Sequence, residues 1–224
     1  MRIRYLGHSA FEIVEGEWNL LIDPFITGNP VCPVKATDLH PKYILVTHMH
    51  DDHVGDTVAI ARRTGATVIT TFEAGQELAK QGVEVVGMAL GGKKRFDFGQ
   101  VRVTLAYHGF GHTGGHACGF VIHLGGKRIY HAGDTALFSD MKLLNGVIEA
   151  PGIDVALLPI GDHFTMGPED AATAVQWIQP KVVIPMHFGT FPVLVQDPAD
   201  FVARVRETTG TTPVVLRPGE SYDL

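Results

Sequence analysis

The chain has 224 residues, 45% of them hydrophobic and 19% charged, and a formal net charge of -6 with histidine neutral. That composition demands a packed core and excludes disorder. The acidic balance, with no Lys/Arg block, excludes a broad electrostatic footprint for nucleic acid, and no apolar run approaches the ~20 residues that a membrane span needs. The opening Met1-Arg2-Ile3-Arg4-Tyr5 is strand-like and lacks the apolar core of a signal peptide. Cys32 and Cys118 are far apart in the chain, and two unpaired thiols in a reducing cytoplasm is the simpler reading.

Arg2 to Leu6, Ala10 to Val14 and Trp18 to Ile22 read as a strand meander, split by Gly7-His8-Ser9 and Glu15-Gly16-Glu17. The third run ends in Asp23-Pro24, and residues 24–42, rich in Pro, Gly and Asn, read as a loop. A strand over Tyr43 to Thr47 runs into a histidine cluster. A helix is predicted from Asp56 to Arg63, with Asp56 as N-cap and Gly65 just past its end. Thr67 to Thr70 is a β-branched strand. Thr70 and Glu73 have capping-box spacing for a helix from Phe72 to Gln81 that Gly82 stops. Val83 to Val86 is a further strand, and Lys93–Phe98 with Val101–Tyr107 reads as a hairpin turning at Gly99-Gln100.

The second half repeats the plan. Gly119–Leu124 and Lys127–His131 form a hairpin, residues 136–149 a helix, and Asp154–Leu158 a buried strand. Gly167-Pro168-Glu169-Asp170 starts a helix that Pro180 ends. Lys181–Ile184 is a strand that leads to Pro185-Met186-His187. Asp197-Pro198 opens a last helix, and Pro213–Leu216 is a final strand. These elements predict one α/β domain over residues 1–224. It is a four-layer αββα sandwich of two similar halves, roughly 1–100 and 101–224, joined near residues 99–108.

The chemistry concentrates in Thr47-His48-Met49-His50-Asp51-Asp52-His53. Imidazole nitrogens and carboxylate oxygens at this density are the donors of a first-row metal site. At a strand end, residues i and i+2 share a face, so His48 and His50 can clasp one ion, while the turn beyond them brings Asp52 and His53 to a second. This differs from the helical His-Glu-x-x-His zinc pattern. The remaining donors are expected at other strand ends, where a sheet presents functional groups to a common edge. His108 follows Val103–Tyr107, Asp134 follows His131, and His187 follows Val182–Pro185. The assignment is His48, His50 and His108 on one ion, Asp52, His53 and His187 on the other, and Asp134 between them.

These residues resemble the metallo-β-lactamase superfamily. The His-x-His-x-Asp-His motif is present as His48, His50, Asp52 and His53, with Asp23, Asp134 and His187 at the matching later and earlier positions. Tyr-Leu-Gly-His-Ser at 5–9, Leu-Ile-Asp-Pro-Phe at 21–25, Tyr-His-Ala-Gly-Asp-Thr at 130–135, Phe-Thr-Met-Gly-Pro-Glu-Asp at 164–170 and Val-Ile-Pro-Met-His at 183–187 are similar to its UPF0173 branch of metal-dependent hydrolases. Relatives of that branch include the ascorbate-6-phosphate lactonases. Two departures stand out. The branch usually has Trp-His-Ser-Ser where this chain has Tyr107-His108-Gly109-Phe110, and this chain adds His112 and His116 just beyond that motif. Separately, His163 stands where Asn is commoner and is a candidate to line the pocket. His116, in Gly115-His116-Ala117-Cys118-Gly119, superficially resembles the Gly-His-Thr ligand of the glyoxalase branch, but His108 ends its strand directly and is preferred.

The resemblance implies a metal-dependent hydrolase whose metal-bridging hydroxide attacks an ester, lactone, phosphoester or related bond of a small substrate. Asp52 takes part in proton transfer as well as ligation. Asp23 stands behind the ligands and sets an imidazole tautomer. His8, His131 and His163 line the pocket or support the ligands. One or two Zn²⁺ per chain are expected, and mixed ligation also admits Mn²⁺ or Fe. The alternatives are a nucleic-acid processing metallo-nuclease, which the acidic balance opposes, and a redox di-iron protein of the same fold, which Met49 opposes because those relatives tend to carry an acid there. A non-catalytic metal-binding scaffold is a further alternative. A homo-oligomer is open, since the fold often oligomerises, although no interface is readable.

Overall fold

The computed structural model describes residues 1–111 and 114–224. An antiparallel meander, β1 (Arg2–Gly7), β2 (Ala10–Glu15) and β3 (Trp18–Ile22), leads into three parallel strands, β4 (Tyr43–Leu45), β5 (Thr67–Thr71) and β6 (Val85–Met88). Helices α1 (Asp51–Val54), α2 (Thr57–Thr64) and α3 (Phe72–Ala79) fall between β4 and β6. The pattern then repeats. Strands β7 (Lys93–Phe96), β8 (Gly99–Leu105), β9 (Cys118–Leu124) and β10 (Lys127–His131) are antiparallel, and β11 (Val155–Pro159), β12 (Val182–Met186) and β13 (Thr212–Pro213) continue in parallel. Between them lie α4 (Pro168–Ile178) and α5 (Ala199–Thr208), and β14 (Ser221–Asp223) returns to pair with β1. The two seven-stranded sheets have the orders β14-β1-β2-β3-β4-β5-β6 and β13-β12-β11-β10-β9-β8-β7.

Strand periodicity explains the layers. Leu45 of β4 faces the core between the sheets, while Ile44 and Val46 face the core under α2 and α3. In the other sheet Val155 and Leu157 of β11 face inward, while Ala156 and Leu158 meet α4 and α5. Alternate residues of a doubly covered strand thus enter two different cores, which makes the molecule an αββα sandwich with three apolar layers. Phe120 is fully buried between the sheets. Phe120→Ala is expected to cost about 3–5 kcal/mol in chemical denaturation, the range for large aromatic truncations in a core.

Several elements differ from expectation. The change of sheet falls between Met88 and Lys93, because β7 and β8 already belong to the second sheet, rather than at 99–108. The Thr70 hydroxyl caps no helix. It donates to the Val46 carbonyl at 2.8 Å, and Thr71 takes the N-cap position. Residues 136–149 do not form an α-helix. Only a 3-10 segment forms, Ser139–Leu144, and it buries Met141 and Leu144, an i, i+3 pair that eclipses at three residues per turn. Gly146 then turns left-handed (φ 75°), and Glu149 is drawn onto the sheet by Arg102 and by His123, 2.6 Å away. The last predicted strand shortens to β13. The short, polar β14 escaped the sequence reading altogether. Cys32 and Cys118 are unpaired. No helix among the described residues is long and apolar enough to cross a membrane.

Candidate metal centre

The histidine-rich segment leaves β4 while still attached to its neighbours. The Val46 N–H donates to the Ile69 carbonyl, Met49 N–H to Phe110 carbonyl (2.8 Å), and Cys118 N–H to Thr47 carbonyl (3.1 Å). Close approach of backbones makes this possible. A Cβ on Gly111 would lie 2.5 Å from the Met49 carbonyl carbon, and one on Gly133 would lie 2.4 Å from the Cys118 carbonyl oxygen. Both glycines also have positive φ, so a side chain at either position would push the segment away. Held in this way, His48 and His50 point the same way with ring centroids 4.7 Å apart. His50 is the N-cap of α1, whose first residues carry Asp52 and His53.

Asp23, fully buried, organises the ligands from behind. One oxygen accepts the Thr47 N–H (2.8 Å); the other accepts the Thr47 hydroxyl (2.7 Å) and His53 Nδ1–H (2.8 Å). Because the single Thr47 hydroxyl proton goes to Asp23, the 2.9 Å contact between His48 Nδ1 and Thr47 Oγ1 has the imidazole Nδ1–H donating to the hydroxyl oxygen. His48 and His53 therefore both carry Nδ1–H and both turn Nε2 into the site. Orienting a ligand imidazole through its far nitrogen is the usual arrangement behind a metal.

Three donor groups result. His48 Nε2 lies 2.9 Å from His50 Nδ1, and His108 Nε2 lies 3.2 Å from the same atom. Donor atoms of His8, Asp52, His53 and His187 form a second group, all within 4.8 Å of one another, and His48, His53 and Asp134 form a third that overlaps both. Asp134 Oδ2 is the common point, 3.0 Å from His187 Nε2, 3.2 Å from His53 Nε2 and 3.5 Å from His108 Nε2. Yet His53 Nε2, Asp134 Oδ1 and His187 Nδ1 are buried without a hydrogen-bond partner, although buried polar atoms are nearly always paired. His53 Nε2, left unpaired beside the Asp134 carboxylate, fits a bound cation.

Charge coupling at the site is strong. Burial opposes ionisation of Asp134, but His53 and His187 outweigh it and hold the carboxyl well below its ordinary range. Burial also opposes a charged His53, yet Asp134 and Asp23 together raise it well above the usual imidazole value. His48 is held well down by burial, then by its histidine neighbours. Burial likewise lowers His8, to about 4. Asp52 is pulled down by its hydrogen bond to His8, against the cost of burial.

A cavity of about 220 Å3 opens over His50, Asp52, His108, Asp134 and His187, with the exposed Phe164 as its wall. No Lys or Arg is among these lining residues. His108 reaches the cluster, whereas His116 is exposed and belongs to none of the donor groups; His112 lies outside the described residues. His163 is exposed, edge-on against Phe164 at 4.4 Å, and does not line the cavity. His131 is buried beneath the site. Its Nε2–H donates to the Ser9 carbonyl and its Nδ1 accepts the Gly133 N–H, so it has no ring nitrogen left for a leaving group and supports the Gly133 turn instead. Sequence reasoning missed Thr47 as the link between Asp23 and His48, and missed Thr190, which holds His8; single hydroxyls carry no pattern to read. Backbone strain also marks the region: His8, Asp23, Asp162, His163 and His187 all have φ between 43° and 60°, a conformation that costs non-glycine residues about 1–3 kcal/mol and gathers at functional sites.

Comparison with known proteins agrees with this geometry. Residues 2–187 match the family model of the beta-lactamase superfamily domain. A UPF0173 metal-dependent hydrolase of Symbiobacterium thermophilum is 82% identical over the whole of both chains. The structure of a metallo hydrolase from the hyperthermophilic archaeon Ignicoccus hospitalis superposes with a TM-score of 0.92 at 35% identity, covering 100% of this chain and 98% of that one. A diiron β-hydroxylase from Streptomyces venezuelae superposes with a TM-score of 0.78, covering all of this chain and 54% of that one; at 17% identity this is a likeness of fold alone. The chain belongs to the metallo-β-lactamase superfamily, and within it to the UPF0173 metal-dependent hydrolases.

Proposed function

We propose that this hydrolase uses a two-ion centre to cleave an ester, lactone, phosphoester or related bond of a small substrate. His48, His50 and His108 would hold one ion and Asp52, His53 and His187 the other, with Asp134 shared. The observation that carries this reading is the position of Asp134 Oδ2, within 3.5 Å of imidazole nitrogens from both triads. When bound, the metal acidifies water and polarises the bond under attack. Asp52, which lines the cavity with its side chain 31% exposed, would accept a proton from water there. Asp23 and Thr47 keep His53 and His48 in the ligating tautomer. Phe164 offers an apolar surface to the substrate.

An imidazole-rich donor set suits zinc, and the carboxylates also admit manganese or iron. The absence of Lys and Arg from the cavity lining speaks for a small molecule over nucleic acid, whose phosphates need cationic partners. Protein purified without chelator is expected to carry metal, to lose hydrolysis of its best substrate on chelation, and to regain it with one added ion. The screen would cover phosphodiester, lactone, thioester and β-lactam substrates. Fewer than two ions per chain under metal-replete conditions would sink the proposal.

A further inference from the structure

We infer that His8 is a fourth protein ligand of the second ion, joining Asp52, His53 and His187. This rests on the two-ion reading above and extends it. The residue sits in the Gly-His-Ser turn between β1 and β2, far in sequence from the other donors, yet its Nε2 lies 3.1 Å from Asp52 Oδ2. One donor atom from each of His8, Asp52, His53 and His187 lies within 4.8 Å of the other three, a spacing that a single ion can span. His53 Nε2 in the same group is buried and unpartnered.

The other side of the ring supports the same reading. His8 Nδ1 is 3.1 Å from the Thr190 hydroxyl, which itself donates to the Phe188 carbonyl at 3.3 Å. With that hydroxyl proton on the carbonyl, Nδ1 carries the imidazole hydrogen and Nε2 presents a lone pair; with it turned to Nδ1, Nε2–H donates to Asp52 instead. A cation seated between Nε2 and Asp52 Oδ2, 3.1 Å apart, selects the first of these tautomers. An outer hydrogen bond from the far nitrogen is what ligating histidines have, and His48 and His53 show it here.

His8 is also built in as rigidly as a ligand. It holds φ 60°, and its carbonyl accepts Tyr5 Oη–H (3.1 Å) and the His187 N–H (2.7 Å). The His8 and His187 rings lie 4.0 Å apart, so two donors from different sheets move as one unit. His8 is fully buried and absent from the cavity lining, which removes it from direct substrate contact. The two positions then differ. The first has three histidines and a share of Asp134, while the second has four protein donors and the same share. That exceeds the four-coordinate complement of zinc sites and suits an ion that takes five or six donors.

The test compares metal retention in wild-type protein, His8→Asn and Thr190→Val, by elemental analysis and chelator competition, with manganese and cobalt as the probes. Asparagine tolerates the left-handed backbone but cannot extend an imidazole. Wild type is expected to hold two ions per chain. Thr190→Val should still hold two, with the second roughly 10–100-fold weaker, the cost of losing an outer partner. His8→Asn should lose the second ion by a larger factor and keep the first. In the cobalt-loaded wild-type protein, which needs no variant to fold, His8 should add a paramagnetically shifted imidazole N–H to those of His48, His50, His53, His108 and His187. Two ions in wild type with His8→Asn no weaker than Thr190→Val, or no shifted His8 N–H, overturns the inference and leaves the two-ion reading standing. Fewer than two ions in wild type overturns both.

Discussion

Asp134→Asn is expected to strip the protein of most of its metal and to abolish hydrolysis. The substitution is nearly isosteric, so packing around the buried side chain is preserved. What changes is the charge and one acceptor at the point where three imidazole nitrogens converge within 3.5 Å. An amide group there offers at best one neutral oxygen, and its NH2 turns a donor toward whatever cation the histidines hold. Loss of an outer-shell hydrogen bond typically costs 10–100-fold in affinity or activity; loss of the shared ligand should exceed that in both. Metal content and kcat/KM measured on the same preparation check the claim, and values within twofold of wild type would remove Asp134 from the centre.

Asp23→Asn should produce the second large effect, of a different kind. Asp23 touches no cavity, but its two oxygens accept three hydrogen bonds, from Thr47 N–H, Thr47 Oγ1–H and His53 Nδ1–H. Asparagine tolerates the left-handed φ of 43° at this position, so the backbone is not the cause. Its NH2 group must face either the Thr47 backbone N–H or the Thr47 hydroxyl and His53 N–H together, donor against donor, in a fully buried site. The expected cost is about 3 kcal/mol of stability, from breaking charge-assisted hydrogen bonds without solvent to replace them. Metal affinity should fall by about 10–100-fold as His48 and His53 lose their enforced tautomers. Denaturation and metal titration together decide it. Unchanged stability with unchanged affinity would show that the ligands orient themselves.

How far the molecule was legible follows from what each residue does. His48, His50, Asp52 and His53 could be read because no other structure explains such donors after an apolar strand. His108, Asp134 and His187 could be read because each lies one to three residues past a strand end. The sandwich could be read because residues such as Ile44 and Leu45, or Ala156 and Leu157, are all apolar on strands buried on both faces. Other features left no trace. Thr70 has capping-box spacing to Glu73, but the Val46 carbonyl takes its hydroxyl, a tertiary partner outranking a local one. Ala136 to Glu149 has helical composition, but Arg102 and His123, distant in sequence, claim Glu149. Ser221–Asp223 is short, polar and at a sheet edge, and only its pairing with β1 makes it a strand. The engagement of His8 with Asp52 depends on the turn after β1 reaching α1, which spacing along the chain does not encode.

The donors hang from opposite sheets. His48, His50, Asp52 and His53 follow β4 of the first, whereas His108, Asp134 and His187 follow β8, β10 and β12 of the second. An ion held by both sets is therefore a rivet through the two slabs at the end where their shared oily filling stops. Such a rivet exists only in the folded chain, so free metal and folding are linked by mass action. An ion present at a thousandfold above its dissociation constant adds about 4 kcal/mol to the folded state. On the two-ion reading, the concentration of that cation would set both how fast this hydrolase works and how long each copy of it lasts.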